Sequence, residues 1–134
     1  MLGAVSERRL ATCHPKIQLL IREVDRRLSL RTRQPFDLTV VCGHRGQAEQ
    51  EQAYRDGNSE KHWPDSRHNT MPSTAVDVGI YPLDWNDREL FMFLIGYILA
   101  VSEDMGIEIE VGALWRKRDR PHIQLTEREI AEAA

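Results

Sequence analysis

Cysteine is scarce in this chain: Cys13 and Cys42 are the only two. That is too few for a disulfide framework, and both read as small buried apolar side chains. A basic excess is missing as well. Lys and Arg number 18 against 21 Asp and Glu, a formal net charge of -3, so the chain offers no broad electrostatic footprint for nucleic acid. The longest apolar run, residues 90–101, is shorter than the roughly 20 residues a membrane-spanning helix requires. Glu7, Arg8 and Arg9 fall where a secretory signal would place its apolar centre. These absences predict a soluble protein made in the cytoplasm without a signal peptide and without insertion into a membrane. Repeats and linkers are also lacking. The 134 residues suffice for one domain, 1–134, with a single core, and a monomer is expected.

The apolar pattern outlines the elements. Pro15 suits the first turn of a helix whose Ile17, Leu20, Ile21, Val24 and Leu28 recur at helical spacing. Residues 31–35 break it, 37–42 read as a strand, and 47–55 as a polar surface helix stopped by Asp56-Gly57. Residues 58–73 read as a loop. Asn86, with Glu89 three residues on, predicts a capping box for a core helix ending near Gly106. Residues 107–111 alternate as a strand with the isoleucines inward, and a short helix follows Thr126. The expected fold class is α+β, with helices packed on a small, mostly antiparallel sheet.

Chemistry concentrates in three places. In a strand over 74–80, Val76, Val78 and Ile80 share one face, which leaves Asp77 on the other. The segment 122–125 repeats the pattern, with Ile123 and Leu125 on one face and His122 and Gln124 opposite. If the two strands are neighbours, Asp77 and His122 share a polar surface. The loop rich in Asn69, Thr70, Pro72 and Ser73 can then fold back to bring in His68. Two imidazoles and a carboxylate suit a catalytic zinc with its fourth position open to water, and Asp119 is a spare acid three residues before His122. Singly, each of these residues is more often a solvated charge or an ordinary hydrogen-bonding histidine. It is the constellation that points to a metal. Cys42-Gly43-His44 is a rival corner without partners at metal spacing.

The motifs Ser66-Arg67-His68, Ser73-Thr74-Ala75-Val76-Asp77 and Asp119-Arg120-Pro121-His122 resemble those of the zinc peptidases of peptidoglycan. That family includes D-alanyl-D-alanine carboxypeptidases and dipeptidases, and the phage endolysins that act as L-alanyl-D-glutamate peptidases. The opening Ser6-Glu7-Arg8-Arg9-Leu10 with His14-Pro15, then Gly43-His44-Arg45 with Gln50, and Tyr81-Pro82-Leu83-Asp84-Trp85 look like the phage branch. Two differences stand out. Ser73 replaces a common Gly, and the interval from His68 to Asp77 is two residues longer than in the commonest form of the motif, resembling a phage variant with Pro-Ser before Ala-Val-Asp.

The resemblance implies a hedgehog/D-Ala-D-Ala peptidase-like fold and zinc as cofactor, with His68, Asp77 and His122 as ligands and Asp119 as catalytic base. It further implies that Arg45 binds a substrate carboxylate, that Ser66 faces substrate, and that the substrate is a peptidoglycan stem peptide, reached after release by a holin. Trp85 and Trp115 are candidates to line the cleft. The alternatives are a D,D-carboxypeptidase or dipeptidase removing terminal D-Ala, and a non-catalytic zinc-stabilised wall-binding module. A glycosidase using Glu108 and Glu110 is disfavoured, because an i, i+2 pair on one strand face reads better as solvated.

Overall fold

The computed structural model describes residues 1–133. Five helices, α1 (Ala4–Leu10), α2 (Pro15–Ser29), α3 (Gln47–Arg55), α4 (Arg88–Met105) and α5 (Glu127–Ala133), accompany four strands, β1 (Asp37–Cys42), β2 (Ala75–Tyr81), β3 (Ile109–Val111) and β4 (His122–Leu125). The strands form one antiparallel sheet in the order β1-β2-β4-β3. This is the α+β class expected.

One sheet face is apolar. Leu38, Val40, Val76, Val78, Ile123 and Leu125 are buried against Ile17, Leu20, Ile21, Val24 and Leu28 of α2 and Leu94, Ile95 and Ile98 of α4. Each such aliphatic side chain contributes about 1.5–3 kcal/mol by leaving water. Because strand side chains alternate, a face fixed by this core commits the remaining residues to the other side. The pairing Val76↔Ile123 therefore places the adjacent pair, Asp77↔His122, together on the opposite face, and Glu110↔Gln124 lies beside it.

Helix α2 starts where Pro15 predicts. The imidazole Nδ1 of His14 caps it by accepting the Lys16 N–H at 3.1 Å. Helix α4 ends at Gly106, whose φ of 67° is a left-handed conformation that glycine adopts without steric cost. Its start differs from the expected capping box: Asp87, not Asn86, is the cap, its carboxylate accepting the Leu90 N–H at 3.1 Å. The strand expected over 107–111 is shortened to Ile109–Val111. Ile107 gives its N–H to Ser102 at the close of α4, and Glu108 gives its N–H to the Glu129 carboxylate.

Helix α1 was not expected from the pattern. It buries only Ser6 and Leu10, too few positions to register as a period. It lies along β1, where the Ser6 hydroxyl accepts the Val40 N–H at 3.0 Å and the Arg9 guanidinium donates to the Val40 carbonyl at 3.1 Å.

Candidate metal centre

His68 sits in a single 3-10 turn, Arg67–Asn69. Ser66 caps it, its hydroxyl accepting the His68 N–H at 3.2 Å, while Asn69 Oδ1 accepts the Ser66 N–H at 3.0 Å. The long loop is braced from α3. Gln50, fully buried, donates from Nε2 to Ser59 Oγ and the Lys61 carbonyl and accepts from Asn69 Nδ2 at 3.0 Å. Gly43 lies beneath. A side chain there would meet the Arg9 carbonyl and Thr12 Oγ1, each at 2.4 Å, so only glycine lets β1 run that close to the end of α1 and aim its carbonyl at His68.

Those contacts fix the imidazole nitrogens. A carbonyl oxygen only accepts, so His68 Nδ1, 2.7 Å from Gly43 O, is the protonated nitrogen and Nε2 is bare. His122 donates from Nε2 to Gln124 Oε1 at 2.9 Å, which leaves Nδ1 bare. The two bare nitrogens are 3.3 Å apart, and Asp77 Oδ1 is 3.3 Å from each. No hydrogen bond reaches Asp77 Oδ1, although it is buried. Three such atoms facing one another need positive charge between them, either a shared proton or a metal ion. Ligand atoms about 2.0–2.1 Å from a tetrahedral zinc lie about 3.3 Å from each other, so the donor set fits that ion in both size and chemistry.

The electrostatics agree. Burial alone would raise the Asp77 carboxyl pKa and lower that of the His122 imidazole. Because each faces the other's opposite charge, Asp77 is instead held below the usual carboxylate range and His122 is raised. Without a bound cation a proton on His122 Nδ1 faces Asp77, and a metal ion taking that place must displace it. Asp119 stands to one side, half-exposed, with Oδ2 3.8 Å from His122 Nδ1. Burial, and then the negative charge of Asp77, raise its pKa. Its position depends on Gly112, where a Cβ would come within 2.3 Å of the Asp119 carbonyl oxygen.

These groups open into a cleft of about 240 Å³ that Arg45, Ser66, Trp115 and Asp119 line together. Arg45 Nη2 is 3.5 Å from Ser66 Oγ, while its Nε is buried without a partner. The Trp115 ring packs 5.0 Å from that of His122. Trp85 does not line the cleft: its ring stacks on Phe91 at 5.6 Å. The rival corner separates, since His44 Nδ1 turns to the Thr70 carbonyl and burial pushes the Cys42 thiol up to about 11. Glu108 and Glu110 are exposed, and Glu110 accepts from Gln124 Nε2 at 3.3 Å.

Sequence reasoning missed the parts played by Gln50, Gly43, Gly112 and Gln124. Gln124 carried a signal through its place on the His122 face of β4, and Gly43 and Gln50 only through their place in the resemblance; Gly112 carried none.

The chain is similar to known proteins. The family model described as phage L-alanyl-D-glutamate peptidase matches residues 1–132. The fold is similar to the crystal structure of the Serratia marcescens L-Ala D-Glu endopeptidase ChiX, with a TM-score of 0.72 and 31% sequence identity over 97% of this chain and 93% of that one. No curated protein matches the chain. By a match that runs through nearly every residue and a fold shared at that identity, the chain belongs to the phage L-alanyl-D-glutamate peptidase family.

Proposed function

We propose that residues 1–134 form a single zinc peptidase domain of an endolysin that hydrolyses the L-alanyl-D-glutamate bond of peptidoglycan stem peptides and so leads to host lysis. In this reading His68, Asp77 and His122 hold the ion, Asp119 is the catalytic base, and Arg45 and Ser66 bind substrate. The observation that carries it is the convergence of three bare acceptor atoms at mutual distances of 3.3 Å, with the Asp119 carboxylate beside them.

Zinc held there supplies Lewis acidity, polarising the scissile carbonyl and making water acidic enough to attack at neutral pH. Asp119 accepts the proton of the attacking water and passes it to the amine of D-Glu as the bond breaks. The planar guanidinium of Arg45, with Nε unpaired, suits a substrate carboxylate. Trp115 forms an apolar wall beside the reacting bond and limits water there.

Among the described residues no helix is long and apolar enough to cross a membrane. Release through a holin and action in the cell wall follow from the endolysin reading, and the protein acts as a monomer on stem peptides, without nucleic acid as a partner.

Mass spectrometry of Gram-negative peptidoglycan incubated with the protein, with and without chelator, tests this reading. Fragments beginning with free D-Glu, absent under chelation, are expected. Loss of terminal D-Ala alone would transfer the assignment to a D,D-carboxypeptidase. A folded, zinc-loaded protein that releases nothing would favour a wall-binding module.

A further inference from the structure

We infer that Glu110 sets the tautomer of His122, and thereby the affinity for zinc, by holding the side-chain amide of Gln124 in one of its two orientations. The inference rests on the metal-centre reading above and extends it to a residue on the sheet edge that touches neither ion nor substrate.

Three links carry it. Strand pairing places Glu110 directly opposite Gln124, and Gln124 two residues beyond His122 on the same face of β4. A carboxylate can only accept a hydrogen bond, so the contact of 3.3 Å between Glu110 Oε2 and Gln124 must be to the amide NH₂. The other end of that amide, the carbonyl Oε1, then points at His122 Nε2, 2.9 Å away. An amide oxygen likewise only accepts, so the proton of His122 is drawn to Nε2 and Nδ1 is left bare toward Asp77 and His68.

Reversing the amide would reverse everything downstream. An NH₂ group aimed at Nε2 favours the tautomer with its proton on Nδ1, which blocks the nitrogen that faces the ion. Gln124 is buried, so little solvent competes to orient it, whereas Glu110 is exposed and its replacement need not disturb the core. His68 needs no such device, because the Gly43 carbonyl cannot flip. Partners of metal-binding histidines fix ring orientation and basicity, and losing them typically weakens metal binding about 10–100-fold.

The test compares Glu110→Lys with Glu108→Lys, which makes the same charge change at an exposed position two residues earlier, just outside β3. The His122 tautomer is read by ¹⁵N NMR in the metal-free proteins at a pH high enough to leave the imidazole neutral, and zinc affinity by chelator competition. A lysine ammonium only donates, so Glu110→Lys is expected to turn the Gln124 oxygen toward position 110. His122 shifts from the Nε2–H to the Nδ1–H form, and zinc affinity falls about tenfold or more. Glu108→Lys keeps the wild-type tautomer and affinity.

An unchanged His122 tautomer in Glu110→Lys overturns the inference, and so does an affinity equal to that of Glu108→Lys. Should the wild-type protein bind no zinc, the metal-centre reading fails separately and the tautomer comparison alone decides this one.

Discussion

Substituting Gly112 with alanine tests how tightly the fold positions the proposed base. The new Cβ would lie 2.3 Å from the Asp119 carbonyl oxygen, 3.0 Å from Asp119 Cβ and 3.1 Å from His122 Cβ, where ordinary contact begins near 3.4 Å. Backbone atoms cannot swing aside as a flexible side chain can. The turn is also tied to residue 112 itself, since the Gly112 carbonyl accepts the N–H groups of Asp119 at 2.9 Å and of Trp115 at 3.2 Å. The Asp119 backbone must therefore retreat by about 1 Å, and a misplacement of that size typically costs about 10²-fold in rate, or about 2.7 kcal/mol of barrier. Overpacking adds a stability cost of about 1–3 kcal/mol, read separately from thermal melting. Initial rates on a stem peptide containing L-Ala-D-Glu, at saturating zinc, supply the assay. If the loss acts through Asp119, the double variant Gly112→Ala/Asp119→Ala is no slower than Asp119→Ala alone. Full activity in Gly112→Ala, or a double variant much slower than Asp119→Ala, would refute the reasoning.

Other substitutions separate holding the metal from using it. His68→Ala and His122→Ala are expected to lose zinc and activity together, whereas Asp119→Ala keeps zinc, measured by elemental analysis, and loses turnover. Arg45→Ala should raise KM with zinc content unchanged, and loss of metal would show a structural role instead. Gln50→Ala leaves buried partners unsatisfied and should lower stability by about 1–3 kcal/mol, a cost that denaturant unfolding measures. For Glu129, burial pushes the carboxyl up, but the Glu108 N–H and the Lys16 ammonium outweigh it and hold the pKa below the usual range. A depressed folded-state pKa adds stability above the unfolded value, about 4.3, that disappears as pH falls through the folded value. Wild type should therefore exceed Glu129→Gln in melting temperature near neutrality and converge with it in acid. A gap that stays constant with pH would count against this.

Strand β1 was legible to the residue, and helices α2 and α3 nearly so, because their ends carry Pro15, Asp56-Gly57 and the breaker segment 31–35. Strand β2 runs one residue later than expected, although Thr74 still accepts the Leu125 N–H. The cap of α4 was misplaced because Asn86 and Asp87 are adjacent and both suited to it. Asn86 instead gives its N–H to Asp84, a choice made by the loop and invisible in composition. Likewise, alternation predicted that Asp77 and His122 share a face. The return of His68 to that face was less readable, since it depends on Gln50, 18 positions earlier in the chain, and on the closeness of Gly43 to α1. Of the two tryptophans offered as cleft residues, Trp85 proves to be packing. Nearness in sequence to a site residue says nothing about which way a loop turns, and Phe91 offered a better surface.

The seating of α1 on β1 bears on how copies of this protein meet. An outer strand normally presents free N–H and carbonyl groups that can recruit a strand from another molecule. Here the outward N–H and carbonyl of Val40 are already taken by Ser6 and Arg9. The opposite margin, β3, is only three residues long. At high concentration such molecules have little open backbone with which to zip into aggregates.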